Sequence, residues 1–306
     1  MFSSLASVQF RANLNAQTNP DKADNYRIVR LASGAYSVHS LTHAETFHPV
    51  IGPVAEAKAL YVSQLRLLHG LQDHADPFVI WDVGLGAAAN ALTVINAARE
   101  VPCSIHLLSF DNTLAPLEFA LAHPQHLEYL ADYQAQLATL LIHREACFQE
   151  GSCSIHWNIH LADFPSLLAD PAAQRLAKPC LVMFDAFSPA KNPAMWTLGL
   201  FTNLFELLDP RCPCVLPTYS RSTLLRVTLL LAGFFVGIGH ATGEKEETTI
   251  AANTLDLIEE PLDQRWLQRV QRSSSAQPLL EPIYRQAPLS SECWQRLQSH
   301  PQFKAA

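Results

Sequence analysis

Apolar and polar positions alternate along this chain in two distinct periods. Near the start, residues 26–31 and 35–41 are short runs separated by Ser33-Gly34, the pattern of a β-hairpin. From 54 to 70, apolar residues recur at helical spacing (Ala57, Leu60, Tyr61, Leu65, Leu68) up to Gly70, which predicts one helix ending at that glycine. Beyond it, strand-like and helix-like runs alternate: 78–83, 87–99, 105–110, 116–122 and onward, 154–160, 180–184, 195–208, 214–217, 222–232, 234–238 and 247–252. Such alternation predicts an α/β fold, with parallel strands joined by right-handed crossovers and helices on both faces of the sheet. The last two strands are joined too closely for a crossover and suit an antiparallel edge hairpin. The expected organisation is an N-terminal β extension over 1–53, a Rossmann-like domain over 54–258 and a C-terminal tail over 259–306.

Composition narrows the classes. With 49% apolar and 16% charged residues in 306, the chain carries enough apolar surface for a substantial core. Its most apolar stretch, 227–239, is shorter than the ~20 residues of a membrane span and is closed by Arg226, so no span is expected. Seven cysteines (Cys103, Cys147, Cys153, Cys180, Cys212, Cys214, Cys293) and no signal-peptide pattern suit a reducing, cytoplasmic compartment. Only one residue separates Cys212 from Cys214 and no second ligand pair is near, so no metal site is expected. The net charge of −7 is not that of a general nucleic-acid binder, and contact with RNA would need a local basic patch. Arg265, Arg269 and Arg272 would line one face of a helix, as solvated surface or as part of such a patch.

Candidate chemistry sits where strands end. In FVIWDVGLGAAANAL (78–92) an apolar strand reaches Asp82, a turn holds Gly84 and Gly86, and an alanine-rich helix follows. Glycines let backbone approach a ligand closely, and a helix N-terminus presents unpaired N–H groups. The next strand ends in Asp111, where an acidic residue accepts hydrogen bonds from ribose hydroxyls, or caps a helix. Asp163 follows the run SIHWNIH and is a candidate for adenine or a turn residue. The run LVMF delivers Asp185 to the carboxyl edge of the sheet, followed by a proline-rich loop with Lys191 and Asn192 at its tip and Trp196 opening the next helix.

At this loop the sequence resembles a known family. DAFSPAKNPAMWT is similar to the D-x-F-[SA]-P-x-K-N-P-x-M-W signature of the MnmC-like tRNA methyltransferases, which complete 5-methylaminomethyl-2-thiouridine at the wobble position. The likeness extends over residues 45–62, 82–90, 216–234 and 243–252. It implies a class I S-adenosylmethionine-dependent methyltransferase with a mostly parallel, seven-stranded Rossmann-like sheet and an antiparallel edge hairpin. It also implies the stand-alone form, without a flavin oxidoreductase domain and without FAD, acting on the anticodon region of tRNA.

Carried over by position, Gly84, Gly86 and Asn90 would hold the methionine end of S-adenosylmethionine, with Asp82 beside them, Asp111 the ribose and Asp163 the adenine. Asp185 would face the acceptor amine as general base. Phe187, Lys191, Asn192, Trp196, Tyr219 and Arg221 would bind substrate, the aromatic rings by stacking on the base and the cations by contacting phosphates. His48 and Glu56 would close over the pocket without an assigned role. Gly86-Ala87-Ala88 replaces a common G-T-G, and Glu244-Lys245-Glu246-Glu247 replaces a basic K-R-E, which bears on RNA more than on cofactor. Two other readings remain: the same enzyme class with a small-molecule amine or another RNA as acceptor, and a non-catalytic S-adenosylmethionine-binding protein.

Overall fold

A computed structural model describes residues 25–72, 74, 77–241 and 246–304. Residues 1–24 of the expected N-terminal extension, and Glu244 and Lys245, lie outside the described residues.

The apolar strand-like runs assemble into one sheet with strand order β10-β11-β9-β8-β4-β5-β7-β6. Its centre is β4 (Phe78–Val83), flanked in parallel by β5 (Ser104–Asp111) and β8 (Leu181–Phe184); β7 (Cys153–Leu161) and β9 (Val215–Thr218) continue it in parallel on either side. β10 (Phe235–Gly239) and β11 (Thr248–Ala252) form the antiparallel hairpin at one edge. The sheet has eight strands rather than seven. The additional strand, β6 (Glu145–Glu150), pairs antiparallel with β7 at the other edge. Its sequence EACFQE has no β-branched residue and faces solvent at alternate positions, so it lacks the apolar run that marks the other strands.

Alternation within the strands builds two cores. On β4, Ile80 points to one face while Trp81 and Val83 point to the other, where Phe184, Trp196 and Phe201 join them. The helices Ala89–Ala98, Ala115–Leu121 and Gln134–His143 cover the Ile80 side; Leu198–Leu207 and Thr223–Ala232 cover the Trp81 side. Among the described residues no helix is long and apolar enough to cross a membrane.

Three helical expectations need correction. The segment 54–70 is not one helix: an α-turn Pro53–Ala57 passes into π-helix at Lys58–Ser63, Arg66 takes a left-handed conformation (φ 48°), and a new helix runs Leu67–Gln72. Gly70 lies inside that helix, where its missing side chain leaves open space, so it is no stop signal. The helix near the C-terminus is Gln264–Val270, and Arg272 falls beyond its end, so only Arg265 and Arg269 are carried on it.

Within residues 260–304 the helical segments are docked rather than loose. Trp266, Leu267, Leu297 and Phe303 are buried in the Trp81-side core. Gln302 is the polar fastener: its Oε1 accepts from Val236 N (2.8 Å), and its Nε2 donates to the carbonyls of Val236 (2.8 Å) and Leu262 (2.9 Å). The side chain thereby supplies β10 with the partners an outer strand would give. Val236 O also accepts from Leu262 N (3.0 Å), so Gln302→Ala is expected to strip the partner from Val236 N and Leu262 O and to lower stability by about 2–3 kcal/mol. A urea midpoint unchanged from wild type would contradict this role.

Candidate active site

Four chain segments meet at the carboxyl edge of the parallel strands, where open α/β sheets bind ligands. The first is the turn after β4. Gly84 (φ 95°) donates its N–H to Phe110 O at 2.9 Å, and a Cβ built on it would stand 2.7 Å from Asp185 O. This residue must be glycine both for its conformation and for the closeness of the passing chain. Gly86 (φ 52°) donates to Asp111 Oδ2 at 3.0 Å. Ala88 is left-handed (φ 61°); its methyl is fully buried, and the helix Ala89–Ala98 starts directly after it. Keeping alanine in that conformation costs roughly 1–2 kcal/mol.

The second segment ends β5. Asp111 accepts from Gly86 N through one oxygen and from Thr113 N (3.2 Å) through the other. Burial pushes its carboxyl upward, and the hydrogen bonds from Gly86, Thr113 and Asn112 oppose that shift. The third ends β7, where Asp163 caps the helix Phe164–Ala169 by accepting from Ser166 N (3.1 Å) while its flanks Ala162 and Phe164 also face the cavity. Capping and lining are therefore both occupied by this one residue.

The fourth is the loop after β8. Asp185 Oδ2 accepts from Asn90 Nδ2 at 2.8 Å and lies 3.4 Å from His48 Nε2. Both contacts use the same oxygen, so Oδ1 takes part in neither. Tyr219 anchors the loop by donating its hydroxyl to Ala186 O (3.1 Å), and Trp196 donates its indole N–H to Phe187 O (2.7 Å). Burial pushes the Tyr219 hydroxyl well up, with further contributions from Asp185, Glu45 and Glu56.

These segments enclose a cavity of about 460 Å³. Its outer wall is the N-terminal hairpin expected from the sequence, β1 (Tyr26–Arg30) and β2 (Tyr36–Ser40), extended by the short strand β3 (Glu45–Thr46); the sequence indicated the hairpin but not that it walls the cavity. Glu45 accepts from the backbone N of Ser188 (3.0 Å) and from its hydroxyl, and the His43 ring stacks on Phe187 with centroids 4.0 Å apart. Glu45 and His43 had as their only signal that they flank the F-H-P segment.

Gly84, Gly86, Asn90, Asp111, Asp163, Asp185, Phe187, Asn192 and Tyr219 line the cavity, together with His48 and Glu56. Four expected contacts do not. Asp82 is buried beneath the turn, accepting from Ser109 Oγ (2.7 Å), whose oxygen also receives Trp157 Nε1 (2.9 Å). Trp196 is fully buried against Phe184 and Tyr219, so its ring is a core element and no stacking plane for a base. Lys191 and Arg221 are exposed outside the cavity lining.

The lining suits the group the glycine turn implies. Asn90 Oδ1 is a buried acceptor with no hydrogen-bond partner among the described residues, placed at the cavity wall beside a helix N-terminus. A Cβ at Gly86 would intrude to 3.2 Å from the Phe47 ring. An amino-acid ammonium against Asn90 Oδ1, its carboxylate toward the helix N-terminus and a ribose at Asp111 match this donor set.

Two outcomes follow from this arrangement. Gly84→Ala should cost at least about 2 kcal/mol and weaken cofactor binding, because both the left-handed φ and the Asp185 carbonyl resist a methyl group; calorimetric titration with S-adenosylhomocysteine reads the second effect. Asp82 has a carboxyl pushed up from 3.8 to about 7, first by burial, with Asp185 and Asp111 adding to the shift and the Ser109 hydrogen bond opposing it. The folded state then holds a proton that the unfolded chain has released, so stability falls as pH rises from about 4 through 7. Between pH 5 and pH 8 the wild type should lose more stability than Asp82→Asn; equal losses would contradict the buried-acid assignment.

Comparison with known proteins agrees with the fold. Residues 136–254 match the family model described as S-adenosyl-L-methionine-dependent methyltransferase. The chain is 29% identical over 222 residues to the tRNA 5-methylaminomethyl-2-thiouridine biosynthesis bifunctional protein MnmC of Ralstonia nicotianae, a match covering 70% of this chain and 32% of that protein. It thus spans about a third of the length of this relative. The crystal structure of MnmC2 from Aquifex aeolicus has the same fold, with a TM-score of 0.65 and 23% identity over 89% of this chain and 84% of that one. The chain is thus similar to S-adenosyl-L-methionine-dependent methyltransferases, MnmC among them.

Proposed function

We propose that the chain methylates the exocyclic amine of 5-aminomethyl-(2-thio)uridine at the wobble position of tRNA, giving the 5-methylaminomethyl product. The observation that carries this reading is the Asp185 carboxylate, held through Oδ2 by Asn90 and His48 with Oδ1 in neither contact, within the DAFSPAKNPAMW segment. The Ralstonia relative, named for biosynthesis of this nucleoside, supports the choice of acceptor.

S-adenosylmethionine, when bound, supplies an electrophilic methyl group on sulfur. Asn90, Gly84, Gly86 and the N-terminus of Ala89–Ala98 would hold its amino-acid end, Asp111 its ribose and Asp163 its adenine. The chain's own task is to orient the nucleophile and remove its proton. An aliphatic amine is mostly protonated at neutral pH; Asp185 Oδ1 accepts that proton and points the freed lone pair into the cavity. Asn90 and His48 keep the carboxylate from turning its occupied oxygen toward the substrate. Phe187, Asn192 and Tyr219 border the acceptor side, and the exposed Lys191 and Arg221 would meet flanking phosphates from outside the lining. The cytoplasm is where such a substrate would be met.

A small-molecule amine as acceptor is the second reading, favoured by the net charge of −7. Labelled methyl transfer to two tRNA preparations, with and without 5-aminomethyluridine, separates the two; label in the first alone supports the wobble reading. Asp185→Asn should then lower turnover by about a hundredfold or more with cofactor affinity kept. His48→Ala, which removes a positioning contact, should lower kcat on the order of tenfold with little change in cofactor affinity. Near-normal turnover by Asp185→Asn would remove that residue from the mechanism.

A further inference from the structure

Away from the cavity, three side chains of unlike chemistry converge on the outer part of the sheet. In the antiparallel β6–β7 ribbon Cys147 stands opposite His156, and Glu145 opposite Asn158. Directly opposed residues bring their Cβ atoms to about 4.5–5.5 Å. Residues two apart on a strand share a face, so Glu145 joins Cys147 and His156 on one side of the ribbon. A carboxylate oxygen, a thiol sulfur and an imidazole nitrogen from the three lie within 4.8 Å of one another. His156 Nε2 and Glu145 Oε1 are 2.7 Å apart, sharing a hydrogen bond where a cation would be bridged.

The support around the trio is also in place. On the inner neighbour β5, His106 is in register with His156. The two rings stack with centroids 4.6 Å apart and planes 3° apart, and His106 Nε2 is bonded to Asn158 Oδ1 at 3.0 Å. The stack limits how the His156 ring can turn, and the ring it stacks on is itself held. None of these residues lines the methyltransferase cavity.

The geometry points to a binding site for a divalent cation of the zinc class formed by Glu145, Cys147 and His156 on the β6–β7 edge. A donor set of sulfur, nitrogen and oxygen selects zinc-like ions over magnesium or calcium, which take oxygen ligands. Around a tetrahedral zinc the ligand atoms stand roughly 3.4–3.6 Å apart, as follows from bond lengths near 2.0–2.3 Å. The Glu145–His156 contact opens to that spacing, and Cys147 closes to it, by adjustment of partly exposed side chains. On binding, the Cys147 thiol releases its proton to solvent, as does the hydrogen bond between Glu145 and His156 where it carries an ionisable proton. Water completes the fourth position, and nothing is oxidised or reduced. The ion would clamp the outermost strand to the sheet, since β6 otherwise has a single neighbour.

The probe is Co²⁺ titrated into the reduced, untagged full chain and followed by absorption. One equivalent should produce a thiolate-to-cobalt charge-transfer band and the visible bands of a tetrahedral ion, which Zn²⁺ then abolishes by displacement. Cys147→Ser should eliminate the charge-transfer band, and His156→Ala should weaken binding by at least about tenfold. Cys180→Ser should leave both unchanged, although Cys180 lies 3.6 Å from His74 and is the competing thiol–imidazole pair. Zn²⁺ should raise the Tm of the wild type and not that of Cys147→Ser. No thiolate band in the wild type, or a band that survives in folded Cys147→Ser, would overturn the site.

Discussion

The whole site depends on how closely the chain leaving β8 passes the turn leaving β4. Gly84 lets the Asp185 backbone come within the space a side chain would fill, and that approach brings the Asp185 carboxylate to Asn90 on the first turn of the following helix. The same turn is tied to β5 twice, by Gly84 N to Phe110 O and by Gly86 N to the Asp111 carboxylate. Three parallel strands thus share one knot of short hydrogen bonds at their carboxyl ends. A shift in any one of them moves the acids that line the cavity.

The small N-terminal sheet adds the outer wall that makes this edge a cavity. Glu45 binds the Ser188 backbone and hydroxyl, His43 lies on Phe187, and Phe47 meets the same ring at 5.5 Å. Removing water strengthens each electrostatic interaction inside and spares a reactive donor from hydrolysis. Burial pushes the carboxyls of both Asp111, in the cavity lining, and Asp82, beneath the turn, upward. Asp111 is relieved by three backbone N–H groups; Asp82, beneath the turn, has the Ser109 hydroxyl alone among its described partners. His48 takes a left-handed conformation (φ 46°) where it reaches Asp185, a small strain held by the packed wall.

The sequence was most informative where apolar runs end in a polar residue. Runs such as 78–83 and 181–184 are continuous because their strands are buried on both faces, and Asp111 and Asp185 stand out because a strand end fixes where they go. β6 was hidden by its alternating polar face, and the break in the 53–72 segment by a π-helix whose apolar spacing imitates an ordinary helix over two turns. Aromatic roles were not legible, because Trp196 and Tyr219 carry the same signal in sequence and only the path of the loop decides that one is core and the other faces the cavity. That the hairpin walls the cavity escaped for a different reason: the Glu45–Ser188 contact joins residues 143 apart, and no local pattern encodes such a pair.

The most direct measurement is a crystal structure of the chain with S-adenosylhomocysteine. The account predicts the amino-acid end at Gly84, Gly86 and Asn90, the ribose at Asp111, and the sulfur facing the side of the cavity where Asp185 Oδ1 lies, with Asn90 and His48 still on Oδ2. A ligand that leaves Asp111 unengaged, or an Asp185 whose Oδ1 turns away from the sulfur, would contradict it.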